Sequence, residues 1–243
     1  MIALRHRRCI LVAGFLTVAF ASGPLPAQER SRWTLDPSVY IFVPGLSGTV
    51  GIGNVDVDLS SPSNVLLNIN FALMGNVRVG YGDWAFTTDV FYGNVGATEN
   101  QFSGSVKELI VEPTLSYRVY RWLEPLVGFR YDSVIGDTDG PLFHNHALTQ
   151  DWFDPIVGAN LRFPFASSFE FVFRGDIGGF GVGSKLTWQV FPYVAWRVSK
   201  LISLQGGYRV LAVDYENGTG RDRIKYDIVE PGPQFGITFL LDL

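Results

Sequence analysis

Apolar and polar residues alternate with a period of two along most of this chain. In the segment Phe169–Gly178, the odd positions carry Phe, Phe, Phe, Gly and Ile, whereas the even positions carry Glu, Val, Arg, Asp and Gly. Successive side chains of an extended strand point to opposite faces, so one face of this segment is apolar and the other is charged. The pattern predicts an antiparallel β-strand.

The same alternation recurs through the rest of the chain from about residue 39, and the connections between the segments alternate in length. Short connections are predicted at 82–83, 121–125, 165–168 and 199–200, and long ones at 54–70, 98–105, 136–151, 179–185 and 215–225. Residues 63–70 are apolar enough to form a short helix or plug. Strict alternation of short and long connections is typical of transmembrane β-barrels. We therefore predict an all-β fold, an antiparallel transmembrane β-barrel of about eight to ten strands.

The N-terminal segment has the three parts of a secretory signal peptide. Arg5, Arg7 and Arg8 precede the apolar run Cys9–Phe20, and small residues and prolines follow as far as Ala27. An apolar run this short favours a signal peptide over a membrane anchor, which needs about 20 residues. We predict cleavage after Ala27, which leaves residues 28–243 as one barrel domain. Cleavage removes the single cysteine, so disulfides are not expected.

Composition indicates which face of the barrel points outward. Charged residues make up 17% of the 243 residues, hydrophobic residues 47%, and the formal net charge is −4. This balance disfavours disorder and nucleic-acid binding. A face exposed to water normally carries lysine, yet the four lysines lie near predicted strand ends, at Lys107, Lys185, Lys200 and Lys225. We therefore expect the apolar face to contact lipid and the polar face to line a lumen, rather than the reverse arrangement of a soluble barrel.

The tryptophans lie near the predicted strand ends. Trp33, Trp84, Trp122 and Trp196 adjoin the chain start or short connections, and the remaining two, Trp152 and Trp188, adjoin long ones. This distribution predicts two interfacial aromatic girdles.

Several runs resemble those of Gram-negative outer-membrane β-barrel proteins, in particular exported small barrels that are mostly uncharacterised. The runs are Trp152–Ala159, Arg174–Ser184, Gly207–Arg209, Gly232-Pro233 and Gly236–Phe239. The resemblance implies an outer-membrane location, contact with outer-membrane lipid and lipopolysaccharide, and insertion by the barrel-assembly machinery. The chain ends in Leu243, where assembly signals usually end in an aromatic residue. The family provides no catalytic residues to transfer to this chain.

Charged side chains on the predicted inner face form the main candidate site. They are Arg78, Asp89, Glu112, Arg118, Arg130, Asp132, Arg162, Glu170, Arg174, Asp176, Arg197 and Arg209. A barrel of about ten strands is narrow enough for such side chains to fill. We predict a structural ionic plug, with a narrow channel for ions or small solutes as the alternative. With a three-residue loop at 165–167, Arg162 would lie directly opposite Glu170.

A short motif occurs twice on the predicted strands: Gly128-Phe129-Arg130 and Gly207-Tyr208-Arg209. Both copies lead toward a long connection, as expected of a barrel built from hairpins. Three residues can match by chance, so no function is assigned to them.

Two histidines in one long connection are weak candidates for chemistry. His144 and His146 lie close in sequence to several aspartates, and such a group can bind a divalent metal or act as a general base. A lipid A-modifying or proteolytic site would have to combine one of these histidines with Ser133 or Asp151. The spacing matches no specific metal or catalytic motif, so we expect neither a cofactor nor an enzyme.

Basic residues also gather where the long connections begin and end. Lys107, Lys185, Arg221, Arg223 and Lys225 are candidates for contact with lipopolysaccharide phosphates. The alternative is that these side chains simply extend out of the membrane. We expect a monomer with a structural or binding role.

Overall fold

The computed structural model describes residues 33–58, 67–99, 102–140 and 143–243. The predicted signal peptide lies outside these residues. The described part contains a short 3-10 helix, Gly220–Asp222, and the strands β1 (Trp33–Phe42), β2 (Ser47–Ile52), β3 (Val55–Asp58), β4 (Leu67–Tyr81), β5 (Trp84–Glu99), β6 (Phe102–Tyr117), β7 (Leu123–Gly140), β8 (Phe143–Ala166), β9 (Phe169–Gly178), β10 (Leu186–Arg197), β11 (Ile202–Asn217), β12 (Ile224–Phe239) and β13 (Leu241–Asp242). Among these residues, we find no helix with the length and hydrophobicity needed to cross a membrane.

The strands close into a barrel. From β4 to β12, each strand pairs antiparallel with the next strand of the chain, and β1 pairs with β4. Closure comes from β1 and β12, where Ser38–Phe42 lie opposite Gln234–Thr238. The wall of the described part therefore has ten strands, β1 and β4 to β12, which confirms the predicted fold class. Closure leaves no sheet edge in the wall where these strands pair, a requirement for crossing lipid.

The three short strands extend this wall at its two ends. After a break at 43–46, the chain continues from β1 into β2, which pairs with Ile224–Val229 of β12. Strand β3 folds back onto β2. At the other end, β13 pairs with Thr34 and Leu35 of β1. The break lets one stretch of chain border β12 along most of its length.

The two ends of the barrel differ in their connections. Turns 82–83, 118–122, 167–168 and 198–201 lie at one end, called here the short-turn end, and the opposite end is called the long-strand end. The long connections predicted at 98–105 and 136–151 were wrong, because β5 runs to Glu99 and β7 to Gly140 before each chain turns back. Residues 67–70 belong to β4, not to a helix. Beyond the lipid both faces of a hairpin contact water, so strands continue there without an alternating pattern.

The outer face of the wall is apolar. On β7, Val127 is 56% and Phe129 58% exposed, whereas Arg130, which points inward, is fully buried. Exposed apolar side chains on neighbouring strands form a continuous surface that is far larger than the few hundred Å² a soluble monomer tolerates. This surface suits lipid.

Aromatic side chains ring the short-turn end, where the sequence predicts one girdle. Trp33, Trp84, Trp122 and Trp196 are all exposed there. The ring centroids of Trp33 and Tyr81 lie 4.7 Å apart, as do those of Trp84 and the neighbouring Tyr117. Such amphipathic rings are favoured at the level of lipid headgroups.

The repeated Gly-aromatic-Arg motif marks close approaches between strands. A Cβ at Gly128 would lie 2.2 Å from the Pro113 carbonyl oxygen, and one at Gly207 would lie 2.3 Å from that of Pro192. In each copy the aromatic residue is exposed and the arginine is buried. Glycine therefore lets neighbouring backbones approach just below an arginine that points into the lumen.

Candidate functional site in the barrel lumen

A fully buried arginine lies at the centre of the lumen. Arg130 on β7 donates to Glu112 Oε2 from Nε at 2.8 Å and from Nη2 at 2.6 Å. Its Nη2 also contacts Asp176 Oδ1 at 2.7 Å, and its Nη1 donates to Thr187 Oγ1 at 2.7 Å. These partners stand on β6, β9 and β10, so one guanidinium connects four strands across the interior.

A second arginine completes this cluster. Arg174 contacts Glu112 Oε1 through Nη2 and Asp176 Oδ2 through Nε, the latter at 3.3 Å. Gln189 Nε2 donates to the same Asp176 oxygen at 3.0 Å. Two guanidinium groups thus share two carboxylates, which balances the charge in a place where an isolated ion would be costly.

A smaller polar group occupies the opposite side of the lumen. Tyr40 on β1 donates to Asp89 Oδ1 at 2.7 Å. Arg209 Nη1 lies 3.8 Å from the same Asp89 oxygen. The guanidinium of Arg209 also lies over the Phe42 ring, 5.5 Å from its centroid. Together with the Arg130 cluster these residues form the ion layer, defined as Asp89, Glu112, Arg130, Arg174, Asp176 and Arg209. The layer has three positive and three negative charges.

A buried glutamate organises the polar side chains toward the short-turn end. Glu124, which is 1% exposed, accepts hydrogen bonds from both terminal nitrogens of Arg78, at 2.8 and 3.0 Å. Ser116 and Asn160 donate to it at 2.7 and 3.2 Å. Arg162 Nε lies 3.6 Å from the same carboxylate. Glu124 was not predicted as a lumen residue, because 121–125 is predicted to be a turn, although Glu124 lies on the same inward face of β7 as Arg130.

Arg162 also contacts Glu170, but not through the predicted register. The two side chains approach to 3.1 Å. The three-residue loop was wrong: β8 continues to Ala166, the register shifts beside Pro164, and Arg162 lies opposite Val172. The contact survives because diagonal neighbours on one face remain within reach of a long side chain.

Apolar side chains close the lumen at the long-strand end. This apolar lid consists of Trp152, Val213, Tyr215, Tyr226 and Ile228. Trp152 stacks on Tyr215 with centroids 4.1 Å apart and lies 5.9 Å from Tyr226. The prediction that Trp152 joins an outer girdle was wrong, since it shares the inward parity of Asp154 and is 5% exposed.

Acidic side chains lie between the ion layer and the lid. Asp132 is 1% exposed, and neither of its carboxylate oxygens has a hydrogen-bond partner among the described residues. Glu108 accepts a hydrogen bond from Tyr226 at 3.0 Å. Asp154 accepts from Ser184 N and Oγ, both at 2.6 Å, which ties the 179–185 connection to the wall.

The structure places all twelve predicted lumen residues on the inner side. Six of them form the ion layer, and Arg78, Arg162 and Glu170 belong to the group around Glu124. Arg118 and Arg197 line the short-turn opening. Asp132 lies above the layer. Sequence parity identified these positions, but it did not identify the uncharged or turn-adjacent partners Tyr40, Thr187, Gln189 and Glu124.

Most of the basic residues predicted to contact lipopolysaccharide have acidic neighbours. Lys185 and Arg223 share Glu216, Arg223 Nη1 lies 2.7 Å from Asp56 Oδ1, and Lys225 lies 3.5 Å from Asp227. Hydrogen bonding to Glu216 raises the pKa of Lys185 above its ordinary value. Arg221 is exposed. The long-strand rim is therefore a network of paired charges more than a basic patch.

The histidine candidates lie on β8, where the structure describes the backbone but not their side chains. The side chains of His144 and His146 lie outside the described residues. His146 is five positions from Asp151 on β8, about 16 Å along an extended strand. Within the described residues, no group of three or more His, Cys, Asp or Glu side chains has the arrangement of a metal site.

A closed antiparallel wall, an apolar outer surface, and charges gathered in the lumen and at the two rims define the class. The chain is a closed antiparallel β-barrel of the transmembrane type. In this class the short turns face the periplasm and the longer connections face outward.

Comparison with solved structures found barrels of this class. The translocator domain of the autotransporter NalP from Neisseria meningitidis has a TM-score of 0.46 and 12% identity, over 86% of this chain and 88% of that one. An outer membrane channel from Pseudomonas putida gives 0.44 and 12%, over 90% and 97%. Ail, the attachment invasion locus protein of Yersinia pestis, gives 0.41 and 9%, over 87% and 99%.

No protein-family model matches the sequence, and a comparison with curated proteins also found no match.

Proposed function

We propose that this protein is a closed, non-enzymatic outer-membrane barrel with a structural or binding role. The observation that carries the proposal is Arg130, which has no exposed area although it lies in the middle of the lumen. Its guanidinium is held by carboxylates and a hydroxyl from three other strands. A side chain fixed in this way occupies the path that a solute would need.

Two separate obstructions support a closed lumen. The ion layer crosses the interior through Arg130 and Arg209, and the apolar lid blocks the long-strand end above it. Water and ions would have to break buried ion pairs at the first and separate stacked rings at the second. Either obstruction alone is enough to stop a hydrated solute, which argues against the alternative of a narrow channel.

A non-enzymatic role agrees with how the polar groups are used. The lumen carboxylates Glu112, Asp176 and Glu124 are already engaged by two or more donors each. Such groups stabilise the wall and are not available to a substrate. The partners that follow from this role are the surrounding lipid and lipopolysaccharide, together with the assembly machinery that inserts the barrel. We propose a monomer in the membrane.

Liposome swelling tests this proposal. Vesicles containing the wild-type protein should not swell in an isotonic solution of a small neutral sugar such as arabinose. Opening the ion layer with Arg130→Ala and Glu112→Ala, or the lid with Trp152→Ala and Tyr215→Ala, should each leave the vesicles impermeable. Combining all four substitutions should produce swelling. Swelling of the wild-type vesicles would contradict the closed lumen.

A further inference from the structure

The lumen contains a large cavity below the ion layer. Its volume is about 1130 Å³, and its lining runs from Arg174 and Arg209 at the inner limit to Gly82, Arg121 and Lys200 in the turns of the short-turn end. The cavity therefore opens at the end that faces the periplasm in this class of barrel and is closed at the other. Small-molecule pockets usually measure about 300–1,000 Å³, so this one can hold a solute with several functional groups.

Basic side chains outnumber acidic ones on the described lining. The basic ones are Arg78, Arg118, Arg121, Arg162, Arg174, Arg197, Lys200 and Arg209, and the acidic ones are Asp36, Asp89, Glu170 and Asp242. Four of these arginines are paired with carboxylates: Arg174 and Arg209 within the ion layer, and Arg78 and Arg162 in the group around Glu124. The excess is therefore concentrated at the opening.

The opening itself carries four basic residues. Arg118 and Arg121 lie at the β6–β7 turn, while Arg197 and Lys200 lie at the β10–β11 turn on another part of the rim. Arg121, Arg197 and Lys200 form no ion pair with another described residue. The acidic side chains of the lining at this level are Asp36, Glu170 and Asp242, and Glu170 is paired with Arg162. Low-dielectric barrel walls concentrate the resulting positive field along the cavity.

The inner limit of the cavity has polar atoms without protein partners. Arg209 Nε, Gln189 Oε1 and Gln234 Oε1 have no hydrogen-bond partner in the described part of the chain. All three side chains are at least nine-tenths buried and belong to the lining. They offer a bound molecule one guanidinium donor and two amide acceptors, which favours a solute that carries hydroxyl groups beside its charge.

We propose that this cavity binds a soluble anion that carries phosphate or carboxylate groups and enters from the periplasmic side. Guanidinium groups bind both kinds of anion through paired hydrogen bonds, and the basic rim attracts them toward the opening. The inference deepens the binding role proposed above and rests on the closed lumen, because a bound solute in a dead-end cavity must leave by the route it entered. The lining faces the lumen, so lipid headgroups do not compete for it.

Calorimetry on the full mature chain in a neutral detergent tests the proposal. The probes are inorganic pyrophosphate and citrate, with spermidine as a cation of similar size. Both anions should bind, spermidine should not, and higher salt should weaken binding because it screens the rim charges. The combined variant Arg121→Gln, Arg197→Gln and Lys200→Gln should lose at least about tenfold in affinity.

A matched variant removes positive charge from the opposite rim. Arg221→Gln with Lys225→Gln should leave anion binding unchanged, and retention of the heat-modifiable band in gel electrophoresis shows that each variant is folded. Absence of binding at millimolar concentration, equal binding of spermidine, or equal loss in both variants would overturn the proposal. Conductance separates the two proposals: discrete openings with intact anion binding would contradict the closed lumen alone, and a non-conducting barrel without binding would contradict the cavity site alone.

Discussion

Single residues show how this barrel tolerates charge in its interior. Arg130 has no exposed area, and its charge is opposed by Glu112 and Asp176 at hydrogen-bond distance. Burying an ion costs several kcal/mol unless its partners replace the lost water, so each member of the cluster depends on the others. The interior charges are therefore part of what holds the wall together.

Replacing Arg130 should destabilise the barrel strongly. Arg130→Met preserves much of the side-chain volume but removes one of the two guanidinium groups that Glu112 and Asp176 share, which leaves two buried carboxylates with Arg174 alone, a loss of about 3–5 kcal/mol. Urea unfolding in lipid vesicles measures the free energy of unfolding. Arg221→Met, at an exposed position of the long-strand rim, serves as the control and should change stability by less than about 0.5 kcal/mol. Equal, small effects of the two substitutions would show that the buried cluster contributes little.

The sequence predicted which strand face each charged side chain occupies, but it did not predict which residues that side chain contacts. Alternation assigned Arg130, Asp176 and Arg209 to the inside, because strand geometry leaves a side chain two choices. It did not place Glu124, which lies next to a turn, and it did not identify the uncharged Thr187 as a partner of Arg130. Trp152 was misassigned because its proximity to a long connection was weighed above its parity with Asp154.

Strands and their contacts depend on a few glycines. In the Gly-aromatic-Arg motif, the glycine lets the neighbouring backbone pass at a distance that a Cβ would block. The motif then places an aromatic side chain in lipid and an arginine in the ion layer. One three-residue unit thus connects strand packing, the outer surface and the lumen.

Adding a methyl group at this position should disturb strand packing. In Gly207→Ala the new Cβ would lie 2.3 Å from the Pro192 carbonyl oxygen and 2.5 Å from Tyr193 Cβ, so β10 and β11 must separate locally. We expect a loss of about 1–3 kcal/mol in urea unfolding. Gly136→Ala is the matched control, since a Cβ there meets no atom within 4 Å. Loss of stability in the control but not at Gly207 would contradict this reading of the motif.

Element prediction was most accurate where one face of a strand contacts lipid. The alternating segments on β7, β9 and β11 became strands with the expected faces, because the bilayer and the lumen impose opposite chemistry on their sides. The strand structure at the tips of the long hairpins was not predicted. The sequence at 98–99 and 102–105 has no apolar–polar alternation, and the strand structure there follows from backbone pairing that sequence periodicity does not report.

The whole molecule is asymmetric along its axis. A polar cavity opens at the short-turn end, the ion layer crosses the middle, and the apolar lid fills the long-strand end. Composition and strand count predicted a narrow barrel with internal charges. The order of these three zones depends on which inward residues meet across the lumen, and those contacts between distant segments are not encoded in local periodicity.

Single-channel recording in planar lipid bilayers tests the closed lumen most directly. Co-insertion of a labelled fraction confirms that the protein is in the membrane, and the variant with all four substitutions in the ion layer and the apolar lid provides an open reference. We predict that the wild-type barrel gives no discrete current steps at either voltage polarity, whereas the open reference does. Reproducible current steps from the wild-type protein would contradict the account.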